Sequence, residues 1–126
     1  MPFIQIKSLP FEDSFDVPKA VRNISRDFAL ANDLPLFHVH ATWEFYLPGH
    51  YAKGEDLPRH HPAANHPVIV DLLTPDFNSA ESLEKMLNSL AECIAGHAPV
   101  KINKIFINHR YARSGMVFDD GKVVKW

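Results

Sequence analysis

The second residue of the chain is a proline, and its position allows two interpretations. Pro2 follows Met1 and directly precedes a short apolar run that reads as a strand. Proline has no N–H to give to a strand ladder, so it is tolerated at the first position of a strand. The second interpretation is chemical. A small penultimate residue normally allows removal of Met1, and Pro2 would then carry a secondary amine that is a candidate general base.

Two of the eight histidines are spaced as a pair. His38 and His40 would share one face of a strand with Glu44, because side chains alternate between the faces of a strand. This spacing suits a metal ion, so one possible function of the chain is metal binding through these histidines. The motif resembles that of the cupins, but those all-β barrels are glycine-rich, whereas this chain has five glycines and two clear helical patterns. We therefore expect no metal and favour a solvated or subunit-facing pair.

Composition indicates a soluble globular protein. The chain has 126 residues, a common size for one domain, with 46% hydrophobic residues and a net charge of −2. Its basic residues are scattered, so no nucleic-acid partner is expected. No apolar run approaches the roughly 20 residues that span a bilayer, so no membrane partner is expected either. There is no signal-peptide pattern, and the single cysteine, Cys93, excludes an internal disulfide. We expect a cytoplasmic protein with Cys93 as a core thiol.

Apolar spacing predicts a strand, a helix and a strand in the first half of the chain. The opening apolar run is the first strand, and a helix is expected after Asp16, which suits an N-cap position. The segment 37–47 alternates between apolar and polar residues and is the clearest strand in the sequence. A connection over 48–66, which contains both glycine and proline, then reads as a long surface loop.

The same order repeats in the second half. A strand precedes a helix that is expected to begin at an Asn78–Glu81 capping box and to stop at Gly96. Another strand follows, and the tail over 115–126 reads as a hairpin that turns at Asp119–Gly121.

These elements predict an α+β fold, a two-layer α/β sandwich. Two βαβ halves, about 1–47 and 67–110, would form a four-stranded sheet with both helices on one face, followed by the C-terminal hairpin. The whole of 1–126 is expected to form one domain. The sheet face without helices must be solvated or covered by another subunit, which favours an oligomer.

A β-α-β-β-α-β chain that starts Met-Pro-apolar resembles the tautomerase superfamily. Its members include 4-oxalocrotonate tautomerase, 5-carboxymethyl-2-hydroxymuconate isomerase and macrophage migration inhibitory factor. PFIQI resembles the opening strand, and VHATWEFYLPGHY resembles the second strand and turn of 4-oxalocrotonate tautomerase. IFIN resembles a strand of the inhibitory factor that reads Val-Tyr-Ile-Asn, and the ending IFINHRYARSGMVFDDGKVVKW resembles a bacterial branch of the superfamily. The pattern covers nearly the whole chain.

The resemblance implies a homotrimer that acts without a cofactor on a small-molecule carbonyl substrate, by keto–enol tautomerisation or a related isomerisation. Pro2 matches the catalytic proline. Asn108 and Phe106 match an Asn and a Tyr that line the pocket from a neighbouring subunit, although Phe106 lacks the hydroxyl. Tyr51 and His40 match a pocket Phe and a substrate-binding Arg of 4-oxalocrotonate tautomerase.

The charged residues expected at the site differ from the family pattern. His40 and Glu12 stand where 4-oxalocrotonate tautomerase has arginines, which argues against a dicarboxylate substrate. Arg110 could replace one of these cations in binding substrate, and so could Arg59 or Arg113 in loops. The second function that the resemblance allows is a catalytically inactive trimeric binding module of the same fold, which retention of Met1 would favour.

Overall fold

The computed structural model describes residues 2–60 and 67–126. The elements in chain order are β1 (Phe3–Ser8), α1 (Val17–Ala31), β2 (His40–Phe45), β3 (Val68–Pro75), α2 (Ala80–His97), β4 (Ile105–Ala112), β5 (Val117–Asp119) and β6 (Lys122–Val124). Short 3-10 turns over Leu36–His38 and Ile102–Lys104 lead into β2 and β4. Residues 61–66 of the loop expected over 48–66 lie outside the described residues.

Strands β1 to β4 form one sheet in the order β2-β1-β3-β4. The β1–β2 and β3–β4 pairs are parallel, and each is connected through a helix, while β1 and β3 are antiparallel. Strands β5 and β6 form a separate antiparallel hairpin. The predicted fold of two βαβ units and a C-terminal hairpin is therefore confirmed.

The core lies between the sheet and the two helices, which share one sheet face. From the sheet, Ile4 and Leu72 are almost completely buried, and from the helices Phe28 and Leu90 are fully buried. Burial of such side chains stabilises the fold by roughly 1.5–3 kcal/mol each. In the described ranges, neither helix combines the length and the apolar character that a membrane span requires.

A hydrogen bond to the side chain of a capping residue marks the N-terminus of each helix. Asp16 caps α1 as predicted, since its Oδ1 accepts a 3.0 Å hydrogen bond from the Lys19 N–H. The capping box expected at Asn78 is wrong by one residue. Ser79 caps α2 by accepting from the Ser82 N–H at 3.1 Å. The Asn78 side chain instead turns back along the chain, where its amide donates to the Pro75 carbonyl oxygen.

The C-terminal stop expected at Gly96 is also wrong, because Gly96 lies inside the last turn of α2. The helix continues to His97, whose Nε2 lies 2.6 Å from Oδ2 of Asp27 on α1. This contact ties the last turn of α2 to α1, and Ala98 then ends the helix in an extended conformation.

Strand β2 begins three residues later than predicted. His38 lies in the 3-10 turn, where its N–H donates to the Pro35 carbonyl oxygen at 3.0 Å, so it does not share a strand face with His40. The expected side-by-side histidine pair is therefore wrong. The His38 ring packs edge-on against Phe37, whereas the His40 ring stacks on Phe3. In the part of the chain that the structure describes, His, Cys, Asp and Glu form no group of three or more arranged to hold a metal ion.

The sheet face opposite the helices, which we call the open face, carries three rows of side chains. Strand register aligns the members of each row, because paired residues on neighbouring strands point to the same side. From β2 to β4 the rows are His40–Phe3–Leu73–Arg110, Thr42–Gln5–Asp71–Asn108 and Glu44–Lys7–Ile69–Phe106.

Candidate functional site

Pro2 lies at the end of the sheet where β1 and β2 begin. Its carbonyl oxygen accepts a 3.0 Å hydrogen bond from the His40 N–H, which fixes the backbone of Pro2 beside β2. Pro2 is buried and lines a small cavity of about 40 Å³, whose apolar walls include Leu34 and Met86. The arrangement places the proline in apolar surroundings on the helix-facing side of the sheet.

A second cavity, of about 210 Å³, opens at the same end of the sheet on the open face. Phe3, His40 and Leu73 form its floor, and Phe118 and Asp119 of the hairpin form a wall. The hairpin therefore shapes the space beside the first row of the open face. His40 and Asp119 are the polar side chains in this lining, so the cavity combines an apolar floor with groups that can bind a polar ligand.

Three of the residues predicted for the site lie at this end of the sheet. Pro2 stands one residue before Phe3, while His40 and Arg110 stand at the two ends of the first row. The Arg110 Nε lies 3.9 Å from Asp71 Oδ1, and both side chains are partly exposed. This ion pair is weak in water, so the Arg110 guanidinium can still bind another anion in competition with Asp71.

The other three predicted residues do not reach Pro2 within one chain. Asn108 lies in the middle row, and Phe106 lies in the third row, about 13 Å along β4 from Arg110 at roughly 3.3 Å per residue. Tyr51 stacks on Tyr46 at 5.3 Å, beyond the far end of β2. A single copy of the chain therefore leaves the predicted site divided between opposite ends of the sheet.

The Tyr46 and Tyr51 phenols stay protonated at neutral pH. Burial raises the pKa of Tyr46, and the neighbouring Tyr51, Asp71 and Glu44 raise it further. Burial also raises the pKa of Tyr51, with a further contribution from Asp56. Both hydroxyls are therefore hydrogen-bond donors rather than bases.

The Cys93 thiol is not a reactive group. Burial, followed by the charges of Asp27 and Glu92, raises its pKa to about 11. The thiolate is the nucleophilic form of cysteine, so Cys93 has the character of the core thiol that the sequence predicts.

Sequence reasoning missed a polar pair behind Pro2. Thr74 is fully buried, and its Oγ1 lies 2.7 Å from Nε2 of His109 on β4. Burial lowers the pKa of His109, which favours the neutral imidazole. The available signal was the alternation of side chains along each strand. Thr74 occupies a position at which β3 otherwise buries apolar side chains, and His109 one at which β4 otherwise has partly buried isoleucines.

A larger groove lies away from all of these residues. It has a volume of about 360 Å³ between the start of α1 and the end of α2, and its lining includes Lys19, Asn23 and His97. None of the residues that the sequence singles out for the site lines it. We therefore place the candidate site at the Pro2 end of the sheet, where Pro2, His40 and Arg110 lie.

Solved structures of similar architecture cover almost the whole chain, although no protein-family model and no curated protein sequence matches it. A trimer of wild-type fused 4-OT has a TM-score of 0.80 at 10% identity, covering 96% of this chain and 94% of that one. Malonate semialdehyde decarboxylase has a TM-score of 0.67 at 11% identity, covering 96% and 93%. A macrophage migration inhibitory factor-like protein from Entamoeba histolytica has a TM-score of 0.67 at 10% identity, covering 96% of each chain.

These proteins are tautomerase superfamily members. The resemblance noted in the sequence is therefore confirmed at the level of architecture, and this chain has the tautomerase fold.

Proposed function

We propose that this protein is a tautomerase or related isomerase that uses Pro2 as a general base on a small carbonyl acid. The observation that carries the proposal is the position of Pro2, buried directly before the first strand of the tautomerase fold. Removal of Met1 makes the Pro2 nitrogen a secondary amine. An α-amino group titrates at about 7.7–8.0, and apolar surroundings lower that value because they disfavour the charged form. A base tuned near the working pH is what proton abstraction requires.

The charged groups near Pro2 favour a substrate with one carboxylate. Arg110 has a partner in Asp71 at 3.9 Å, and His40 stands at the other end of the same row. In this proposal Arg110 binds the carboxylate, and His40 donates a hydrogen bond to the oxygen that becomes negative when the enolate forms. A single strong cation, Arg110, can neutralise one substrate carboxylate but not two.

We propose further that a neighbouring copy of the chain completes each site in a homotrimer. Tyr51, Phe106 and Asn108 then enter the site from the neighbour, since they lie too far from Pro2 in their own chain. The 210 Å³ cavity is smaller than the roughly 300–1,000 Å³ of typical ligand pockets. Phe37 and Phe118 are 80% and 73% exposed, which also favours a covering partner. The similar fused 4-OT structure is a trimer.

The test of the base is Pro2→Ala together with chemical blocking of the N-terminus. Ketonisation of the enol form of phenylpyruvate is followed by absorbance, using protein whose intact mass shows that Met1 is absent. Because a general base typically contributes about 10²–10⁴-fold, Pro2→Ala is expected to lower the rate clearly, and acylation of Pro2 to abolish activity by removing the lone pair. Pro10→Ala, at the other end of β1, is the matched control and should retain activity. Equal turnover by blocked and free protein would show that Pro2 only starts a strand.

The second candidate function is a trimeric binding module without turnover. The Arg110–Asp71 contact favours it, because part of the positive charge available to a substrate is already neutralised. Intact mass of the natively expressed protein separates the two candidates. Retained Met1 would make the Pro2 nitrogen a tertiary amide, which cannot act as a base, whereas loss of Met1 keeps catalysis open.

A further inference from the structure

The proposed reaction leaves unused the polar pair behind Pro2, formed by Thr74 and His109. Thr74 is 0% exposed, and the 2.7 Å contact with the His109 Nε2 gives its hydroxyl a hydrogen-bond partner. A buried hydroxyl without a partner costs stability, whereas valine would fill the same space with no such need. The pair therefore calls for an explanation beyond packing.

Strand register places Thr74 next to Pro2. Phe3 of β1 pairs with Leu73 of antiparallel β3, so Pro2 and Thr74 are the next residues to face each other. Side chains at such positions have Cβ atoms about 4.5–5.5 Å apart. Both residues also line the 40 Å³ cavity, which is far too small for a substrate, so they border one common space.

The His109 ring packs against Tyr111 while its Nε2 meets Thr74. The Tyr111 ring packs edge-on against the His109 ring, with centroids 4.5 Å apart. The Tyr111 hydroxyl in turn donates a 3.3 Å hydrogen bond to the Asn78 carbonyl oxygen. Burial lowers the pKa of His109, so the ring is neutral at neutral pH and one of its nitrogens can accept a proton from a hydroxyl.

We propose that His109 is a positioning residue that acts through Thr74 on the Pro2 amine. Nε2 of His109 accepts the single hydroxyl proton of Thr74, so Oγ1 faces Pro2 only as an acceptor. Oγ1 then accepts the N–H of the neutral secondary amine and directs the nitrogen lone pair away from Thr74, where a substrate can meet it.

The inference rests on the proposed function and adds no new reactant to it. Pro2 takes a proton from a substrate carbon, the electron pair of that C–H bond moves into the enolate, and the same proton returns to another atom of the substrate. Throughout, Oγ1 of Thr74 remains an acceptor and stabilises the Pro2 ammonium more than the neutral amine. His109 itself exchanges no proton with the substrate.

The test measures the Pro2 amine without substrate, by ¹⁵N NMR titration of proline-labelled protein that lacks Met1. Thr74→Val removes the acceptor, and His109→Phe frees the hydroxyl to donate to the lone pair. Each change is expected to lower the Pro2 pKa by about one unit, because each favours the neutral amine. Thr74→Ser should restore the value. His97→Phe, which alters another part-buried histidine with a hydrogen-bond partner, is the matched control and should leave it unchanged.

A second measurement uses the unaltered protein and does not depend on how the variants fold. The ¹⁵N shifts of the His109 ring at neutral pH should show Nε2 without a proton and Nδ1 with one. A proton on Nε2 would overturn the proposal, because Thr74 could then donate to Pro2. A Pro2 pKa in His109→Phe within about 0.2 units of the original would overturn it as well. Neither readout requires turnover, so failure of the phenylpyruvate assay remains a separate result.

Discussion

A 2.6 Å hydrogen bond between His97 and Asp27 shows how single residues connect the two helices. This bond is the main reason why the pKa of the Asp27 carboxyl lies below 3.8, and Arg26 lowers it further while burial opposes the shift. The Asp27 side chain is 38% exposed, so solvent screens much of the interaction. The contact therefore contributes modestly to stability, in a way that depends on pH.

The pH dependence of this contact follows from the direction of the Asp27 shift. A folded-state pKa below the unfolded value gives a stabilisation that is fully present above about pH 3.8 and is lost as pH falls through the lower folded value. We expect His97→Ala to reduce the free energy of unfolding most above about pH 4 and progressively less toward about pH 2, as measured by urea unfolding. Asp27→Asn should reproduce this trend. A reduction that stays constant down to pH 2 would contradict the assignment.

Residue-scale prediction from sequence succeeded only where local chemistry sufficed. The position of Pro2 before a strand and the cap at Asp16 follow from neighbouring residues alone. Thr74 and His109 are 35 residues apart, and only the β3–β4 register brings them together. In a sequence, a single threonine or histidine within an apolar strand reads as an ordinary packing residue, so the pair could not be inferred.

At the scale of elements, two glycines show how backbone conformation decides the role of a residue. Gly121 has φ +76° in the tight turn between β5 and β6, in the left-handed region that favours glycine. Gly96 lies within α2, and a Cβ added there would meet nothing within 4 Å. The same residue type is therefore required in the turn but costs stability in the helix.

Substituting alanine at these two glycines should change stability in opposite directions. Gly96→Ala is expected to raise the free energy of unfolding by about 0.5–1 kcal/mol, because glycine loses more backbone entropy in a helix. Gly121→Ala is expected to lower it by about 1–2 kcal/mol, because alanine is strained at positive φ. Urea denaturation measures both. If Gly96→Ala lowered the free energy of unfolding instead, the result would support the sequence-based prediction that α2 stops at Gly96.

The helices and strands could be predicted from the sequence because the spacing of apolar residues indicates which face of each helix or strand is buried. The sequence-based prediction misplaced the start of β2, since alternation continues through Phe37 and His38 although the backbone there forms a 3-10 turn. It also placed the cap of α2 at Asn78, whose side chain is bonded elsewhere. These two errors have the same cause. Local hydrogen bonds decide where a helix or strand begins, and the spacing of apolar residues does not reveal those hydrogen bonds.

At the scale of the whole molecule, the open face accounts for the division of the candidate site. Its rows place His40 and Arg110 at one end and Phe106 at the other, and Phe106 is 56% exposed. The sequence could name these residues, but it could not show how they come together, because in the proposed trimer they belong to two different chains. In the proposed trimer, the exposed Phe106 side chain contacts the site of a neighbouring subunit.

The trimer is tested by placing a charge on the open face. Phe106→Asp should shift the molecular mass in solution from that of a trimer toward that of a monomer, because a charge would be buried without a partner. Light scattering coupled to size-exclusion chromatography gives the measurement. Leu30→Asp is the matched control, since Leu30 is an exposed apolar residue of α1, 72% accessible. A wild-type protein that is monomeric at micromolar concentration would contradict the intersubunit site.

The central position of β1 has a consequence for the order of events during synthesis. Strand β1 is translated before both of its neighbours, and one of them is β3, which ends at Pro75. At about 5–20 residues per second, roughly 4–15 s pass before that neighbour has been translated. Pro2 thus lacks one of its two flanking strands until β3 is made, whereas it is buried in the finished fold. We therefore expect the proposed removal of Met1 to be easiest before β3 is translated, while Pro2 still lacks this neighbouring strand.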